Sequence, residues 1–133
     1  MKKALLFAII FLCAAQIRSQ ILQGADLTNI GQIKSDGTVL DESNKQIGKI
    51  KSDGMVTNKS SVIIGYIKSD GSIQNESKTV VGYVLSDGTI QDAEKKTIGY
   101  IKDGAVSNQN NETIGYAKNI PVKWAAVYFF FLF

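Results

Sequence analysis

Gly65-Tyr66-Ile67-Lys68-Ser69-Asp70-Gly71 is the clearest copy of a unit that recurs along most of this chain of 133 residues. Two copies precede it, Gly31-Gln32-Ile33-Lys34-Ser35-Asp36-Gly37 and Gly48-Lys49-Ile50-Lys51-Ser52-Asp53-Gly54. Two follow, Gly82-Tyr83-Val84-Leu85-Ser86-Asp87-Gly88 and Gly99-Tyr100-Ile101-Lys102-Asp103-Gly104, and the half copy Gly115-Tyr116-Ala117-Lys118 ends the series. The lead glycines fall at 31, 48, 65, 82, 99 and 115, a step of seventeen that shortens to sixteen at the end. A fixed period marks a repeat architecture, in which neighbouring units bury one another's apolar faces.

Alignment by column assigns each position a task. Ile33, Ile50, Ile67, Val84 and Ile101 lie just before the Asp-Gly pair, and Val39, Val56, Ile73, Ile90 and Val106 just after it. Two β-branched runs joined through Asp-Gly predict an antiparallel hairpin. In the first four copies Ser-Asp-Gly predicts a type I turn with a left-handed glycine bulge, so that Ile33 faces Val39. The fifth copy lacks the serine, and Asp103-Gly104 then reads as a two-residue type I′ turn that still sets Ile101 opposite Val106. Each hairpin ends at an Asx residue, Asp41, Asn58, Asn75, Asp92 or Asn108, suited to starting a second turn. The chain then returns to Ile47, Ile64, Val81, Ile98 or Ile114. Strict alternation predicts that these aliphatics share a strand face with the tyrosine column, with the lead glycines and central isoleucines opposite.

At the start, Met1-Lys2-Lys3 and the apolar run Ala4 to Ala15 read as a secretory signal peptide over residues 1–19, cut after Ala15 or after Ser19. That run is short for a membrane span. Residues 20–29 read as a lead-in, 30–120 as five hairpin repeats plus a closing strand, and 121–133 as an apolar C-terminal segment. Lys2, Lys3 and Arg18 precede Gln20 and no acid does, so of the 15 basic residues 12 remain after a cut there, matching the 12 acidic ones. A chain without excess positive charge has no electrostatic drive toward phosphate, and nucleic acid is not an expected partner. The one cysteine, Cys13, leaves with the leader, so no disulfide framework is expected.

After Pro121 the chain finishes on Trp124-Ala125-Ala126-Val127-Tyr128-Phe129-Phe130-Phe131-Leu132-Phe133. Ten apolar residues are about half of a helical membrane span. The segment is read as a plug filling the middle of a ring, the alternative being a hydrophobic contact surface for a partner or membrane interface. Seventeen residues are too few for a propeller blade, and an open array would leave edge strands exposed. The expected fold is therefore all-β: a closed rosette of β-hairpin repeats in which the half copy at 115–118 pairs beside the first strand.

With its five Gly-x-Ile-Lys-Ser-Asp-Gly-type units and its Trp124–Phe131 tail, the chain resembles the five-fold β-flower proteins, small exported bacterial proteins, from about Ile30 to Phe133. The resemblance implies a pseudo-five-fold arrangement of hairpins and carries no activity, cofactor or catalytic residue. The chain departs from a uniform repeat at Leu85 in the lysine column, at the serine missing before Asp103, and at Gln32 and Lys49 in the tyrosine column.

Without histidine, and without cysteine after the leader, serine- and cysteine-nucleophile triads and most zinc sites are excluded. Asp36, Asp53, Asp70, Asp87 and Asp103 all precede glycine, where aspartate is a preferred turn residue, and no segment gathers calcium ligands. Two columns remain as candidate binding residues. Lys34, Lys51, Lys68 and Lys102, with Lys118, would gather positive charge on one rim for an anion; Tyr66, Tyr83, Tyr100 and Tyr116 would offer stacking faces to a glycan or peptide. The expectation is an exported, periplasmic or secreted, non-enzymatic structural or interaction module. It is expected to be monomeric, to need no cofactor or metal, and to have no transmembrane span once mature. A glycan, a peptide or a cell-envelope component is the candidate partner, through the tyrosine or lysine rim.

Overall fold

A computed structural model describes residues 20–133; the leader and both expected cleavage sites lie outside the described residues. Twelve strands run in chain order: β1 (Ile21–Gly24), β2 (Asn29–Ile33), β3 (Thr38–Asp41), β4 (Gln46–Ile50), β5 (Met55–Asn58), β6 (Ile63–Ile67), β7 (Ser72–Asn75), β8 (Val80–Val84), β9 (Thr89–Asp92), β10 (Thr97–Lys102), β11 (Ala105–Asn108) and β12 (Thr113–Tyr116). Each pairs antiparallel with its chain neighbours, and β12 pairs with β1 to close a barrel. Closure leaves no free sheet edge, which is how such short strands are stabilised without templating further pairing.

The repeats form the expected hairpins. Ile33 faces Val39, and the Lys34 N–H donates to the Thr38 carbonyl at 2.8 Å. Gly37, Gly54, Gly71 and Gly88 each take φ of 93°, the left-handed bulge position of the Ser-Asp-Gly loop. In the shortened loop Asp103 and Gly104 have φ of 51° and 83°, and Lys102 faces Ala105 as the two-residue turn requires. Each loop also docks on the next unit: the Gly71 carbonyl accepts the Val84 N–H at 2.8 Å, and the Gly54 carbonyl accepts that of Ile67 at 2.7 Å.

The lead-in is more than a lead-in. Within it, β1 sets Gln23 opposite Tyr116 and Gly24 opposite Gly115, as Leu40 and Asp41 lie opposite Gln32 and Gly31. Its other edge pairs Leu22 with Gly31, as Val39 pairs with Gly48. β12 and β1 thus make a sixth hairpin-like unit from the two ends of the chain, beside five that are continuous. Leu22 lies seventeen residues before Val39 and is equally buried. The half copy closes on β1, which stands between it and β2.

The tyrosine column and the aliphatic before each lead glycine do not share a face. Every unit carries a register shift that skips this aliphatic, as at Ile47 between Val39 and Leu40 or Ile64 between Val56 and Thr57. A bulge re-aims the extra residue. Ile30, Ile47, Ile64, Val81, Ile98 and Ile114 accordingly pack against the core, while the tyrosines stay on the outer wall.

The second turns are built on the Asx residues. The Asn58 side-chain oxygen accepts the Ser60 and Val62 N–H groups at 2.8 and 3.1 Å, and Asp41, Asn75, Asp92 and Asn108 do the same. Three residues on, Asn44, Ser61, Lys78, Lys95 and Asn111 take φ between 64° and 66°. Left-handed backbone costs an L-residue about 1–2 kcal/mol, and glycine recovers that less its own extra chain entropy of about 0.5–1 kcal/mol. Ser61→Gly is therefore expected to raise stability by about 0.5–1 kcal/mol, seen as a higher urea midpoint at unchanged slope.

Inside the barrel lie Leu22, Ile33, Val39, Ile50, Val56, Ile73, Val84, Ile90, Ile101, Val106 and Ala117. The bore they line is filled by the C-terminal segment. After Asn119, at φ of 64°, Pro121 opens the short helix α1 (Val122–Ala126), which continues into a π-helical turn over Val127–Phe131. Ala125, Ala126 and Val127 are wholly buried on the axis.

Candidate functional site

Each of the six units meets the axis through a lead glycine, and every lead glycine faces one tail residue. A Cβ on Gly115 would meet the Phe129 ring at 2.6 Å, on Gly99 the Phe130 ring at 2.5 Å, on Gly65 Leu132 at 2.6 Å and on Gly48 the Phe133 ring at 2.6 Å. Phe131 seats on Gly82, and the Tyr128 hydroxyl lies 3.3 Å from the Cβ position of Gly31. Six consecutive residues thus serve six units in ring order. An α-helix turns about 100° per residue, too fast for units about 60° apart, and the wider i→i+5 winding slows the rotation. The Leu132 N–H donates to the Val127 carbonyl at 2.9 Å in that pattern. The Tyr128 hydroxyl donates to the Ile30 carbonyl at 3.3 Å, and burial, then the charges of Glu42 and Asp41, push its pKa up.

The rings of this crown are half-buried and Phe133 is exposed, at the end of the barrel that carries the Asx turns. The opposite end carries the Ser-Asp-Gly loops, and there Lys34, Lys51, Lys68, Lys102 and Lys118 all stand exposed, as a rim. The carboxylates beside them are engaged in their own turns. Asp70 accepts the Ser72 N–H at 3.0 Å and its hydroxyl at 2.7 Å, and Asp36, Asp53 and Asp87 accept the N–H two residues on. These hydrogen bonds hold Asp36, Asp70 and Asp87 below the usual carboxylate range, with nearby lysine charges adding less. A depressed pKa contributes stability above the unfolded-state pKa and loses it as pH falls through the folded one. Asp70→Asn is expected to leave the melting temperature unchanged at neutral pH, since asparagine accepts the same bonds, and to remove this loop's share of acid weakening. Paired melts at pH 7 and pH 3 check it.

The tyrosines lie elsewhere. Tyr66, Tyr83, Tyr100 and Tyr116 face Gln74, Gln91, Ser107 and Gln23 across their hairpins. They are half-buried on the outer wall of four successive units, roughly 10 Å apart at two strand spacings each. Three rings already carry a cation on one face: Lys78 Nζ lies 5.6 Å from the Tyr66 centroid, Lys95 Nζ 5.4 Å from Tyr83, and Lys102 Nζ 5.9 Å from Tyr100. The structure therefore separates the two candidate columns, joining them only where Lys102 covers Tyr100. Among the described residues no three His, Cys, Asp or Glu gather as a metal site, and no helix is long and apolar enough to cross a membrane.

A recess lies at the lysine end. A groove of about 650 Å³ runs between the tail's entry and the loops of three successive units, lined by Lys51, Asp53, Lys68, Leu85, Lys123 and Trp124 among others. Lys123 and Trp124 are residues that the repeat columns could not single out, because they belong to the non-repeating tail. A smaller recess beside Asp103, Lys118 and Ile120 lies on the other side of Val122.

Neither the curated proteins nor the solved structures contain a match to this chain. A family model described as 5-fold beta-flower protein matches residues 19–133. The match spans every repeat, the end-joined sixth unit and the whole of the plug, and the chain belongs to the 5-fold beta-flower protein family.

Proposed function

We propose that this protein is exported to the periplasm or beyond and serves there as a non-enzymatic structural or interaction module. The observation that supports it best is the filled bore: the six lead glycines close on the protein's own tail, so the surfaces offered to a partner are the outer wall and the two ends. Turn carboxylates committed to backbone N–H groups, in a chain without histidine, are a poor basis for acid–base catalysis. Strands of four to six residues are about half of what a transmembrane strand needs, which favours a module working in water. The basic, then apolar N-terminus supports export.

N-terminal sequencing of the protein from its native host is expected to begin at Gln16 or Gln20, and retention of Met1 would overturn export. A hydrolase panel is expected to show no turnover. Turnover abolished by Asp70→Asn at unchanged stability would make the protein an enzyme.

A further inference from the structure

We propose that the groove between Trp124 and the chain at 51–54, 67–71 and 84–86 is a binding site for an acidic saccharide. The proposal rests on the reading of the protein as an interaction module and assigns that module a ligand class. The groove is asymmetric in an otherwise near-symmetric ring. The tail crosses one side of the barrel mouth from Ala117 to Pro121, and the recess opens on the other side, against the second, third and fourth hairpins. Its volume of about 650 Å³ falls within the roughly 300–1,000 Å³ of ligand clefts.

The lining has the chemistry of sugar recognition. Trp124 supplies a large, partly exposed ring, the indole counterpart to the apolar face of a pyranose, with Leu85 and Val122 beside it. Among the described residues its indole N–H has no hydrogen-bond partner. Ser52, Ser69 and Ser86 bring hydroxyls to the same space, one from each loop, and Asp53 and Asp70 have a second carboxylate oxygen free to accept sugar hydroxyls. Charge then selects among sugars. Lys51, Lys68 and Lys123 outnumber Asp53 and Asp70 along the lining, and each of those two carboxylates has one oxygen already taken up by its own turn. Lys123 reaches across to the Ser69 carbonyl at 3.4 Å and stiffens the floor, leaving Lys51 and Lys68 as the ammonium pair for a ligand carboxylate. The outer tyrosines compete poorly for the same ligand, because lysines cover a face of Tyr66, Tyr83 and Tyr100.

Trp124 is the only tryptophan, so its emission reports the groove directly. Titration of the mature protein with tetragalacturonate is expected to shift and saturate that emission. The double variant Lys51→Ala/Lys68→Ala should keep the melting temperature and bind at least tenfold more weakly, whereas Lys34→Ala, on the rim outside the groove, should bind as the parent does. Cellotetraose, the neutral comparison, should bind at least tenfold more weakly than tetragalacturonate. No saturable response to either sugar overturns the site. Equal binding of cellotetraose, unaffected by the lysine substitutions, overturns the acidic preference. The same shift at the same affinity with inorganic phosphate alone makes this an anion site and overturns the saccharide. None of these outcomes bears on export or on turnover, which N-terminal sequencing and the hydrolase panel read separately.

Discussion

A chain ended at Pro121 is expected not to fold. The tail is the inner half of the core: Ala125, Ala126 and Val127 have no exposed surface, and Trp124 and Tyr128 to Leu132 pack against the barrel's inner residues. Truncating a large buried side chain typically costs about 2–5 kcal/mol, and half-buried rings fall at the lower end of that range. Removing six such side chains together exceeds the roughly 5–15 kcal/mol that holds a domain folded. Far-UV and near-UV circular dichroism of the shortened chain should both lose their native signals. A shortened chain with native spectra and an unchanged melting temperature would make the tail an appendage, and its apolar crown a contact surface. Phe130→Ala alone is a milder test. Its ring sits on Gly99 yet is partly exposed, so the loss should be nearer 2–3 kcal/mol than the 3–5 of a fully buried ring.

That the tail is a plug could be read from its composition and length, and the hairpins could be read in some detail. Ser-Asp-Gly and Asp-Gly specify different turns through local sterics alone, so even the fifth unit's altered loop was legible. What the repeat concealed had non-local causes. Ile21-Leu22-Gln23-Gly24 follows no Asp-Gly loop, and only Leu22, one period ahead of Val39, hints that the segment is a strand. Its identity as half of a sixth unit depends on pairing with a strand some ninety residues away, Gln23 against Tyr116. The face of Ile47 and its counterparts was misread because alternation assumes an unbroken ladder, and the bulge in each unit breaks it. Of the candidate site, the lysine rim was legible from the period. The groove was not, since Trp124 and Lys123 reach it only through the path of the tail after Pro121.

Gly99→Ala is expected to cost about 3 kcal/mol, a large effect for a single methyl group. The reason is space, not backbone conformation. A Cβ there would lie 2.5 Å from the Phe130 ring on the axis and 2.5 Å from the Ser107 carbonyl on the paired strand, both inside the 3.0 Å that real Cβ contacts respect. The ring is the more yielding of the two, being the far end of a side chain, while the carbonyl is fixed by the β10–β11 ladder. Adding Phe130→Ala removes one clash and leaves the other. The double variant should therefore be less destabilised than the two single losses summed, by about 1 kcal/mol or more of coupling, as residues in contact show in such cycles. Gly24→Ala is the control. Gly24 stands opposite a lead glycine, Gly115, in the end-joined unit, but its nearest neighbours would lie at 3.4 Å or beyond, an ordinary contact, so its melting temperature should barely move. If Gly99→Ala melts like Gly24→Ala, or if the cycle is additive, then Phe130 does not seat on Gly99. The one-residue-per-unit fit between the π-helical turn and the ring would then fail.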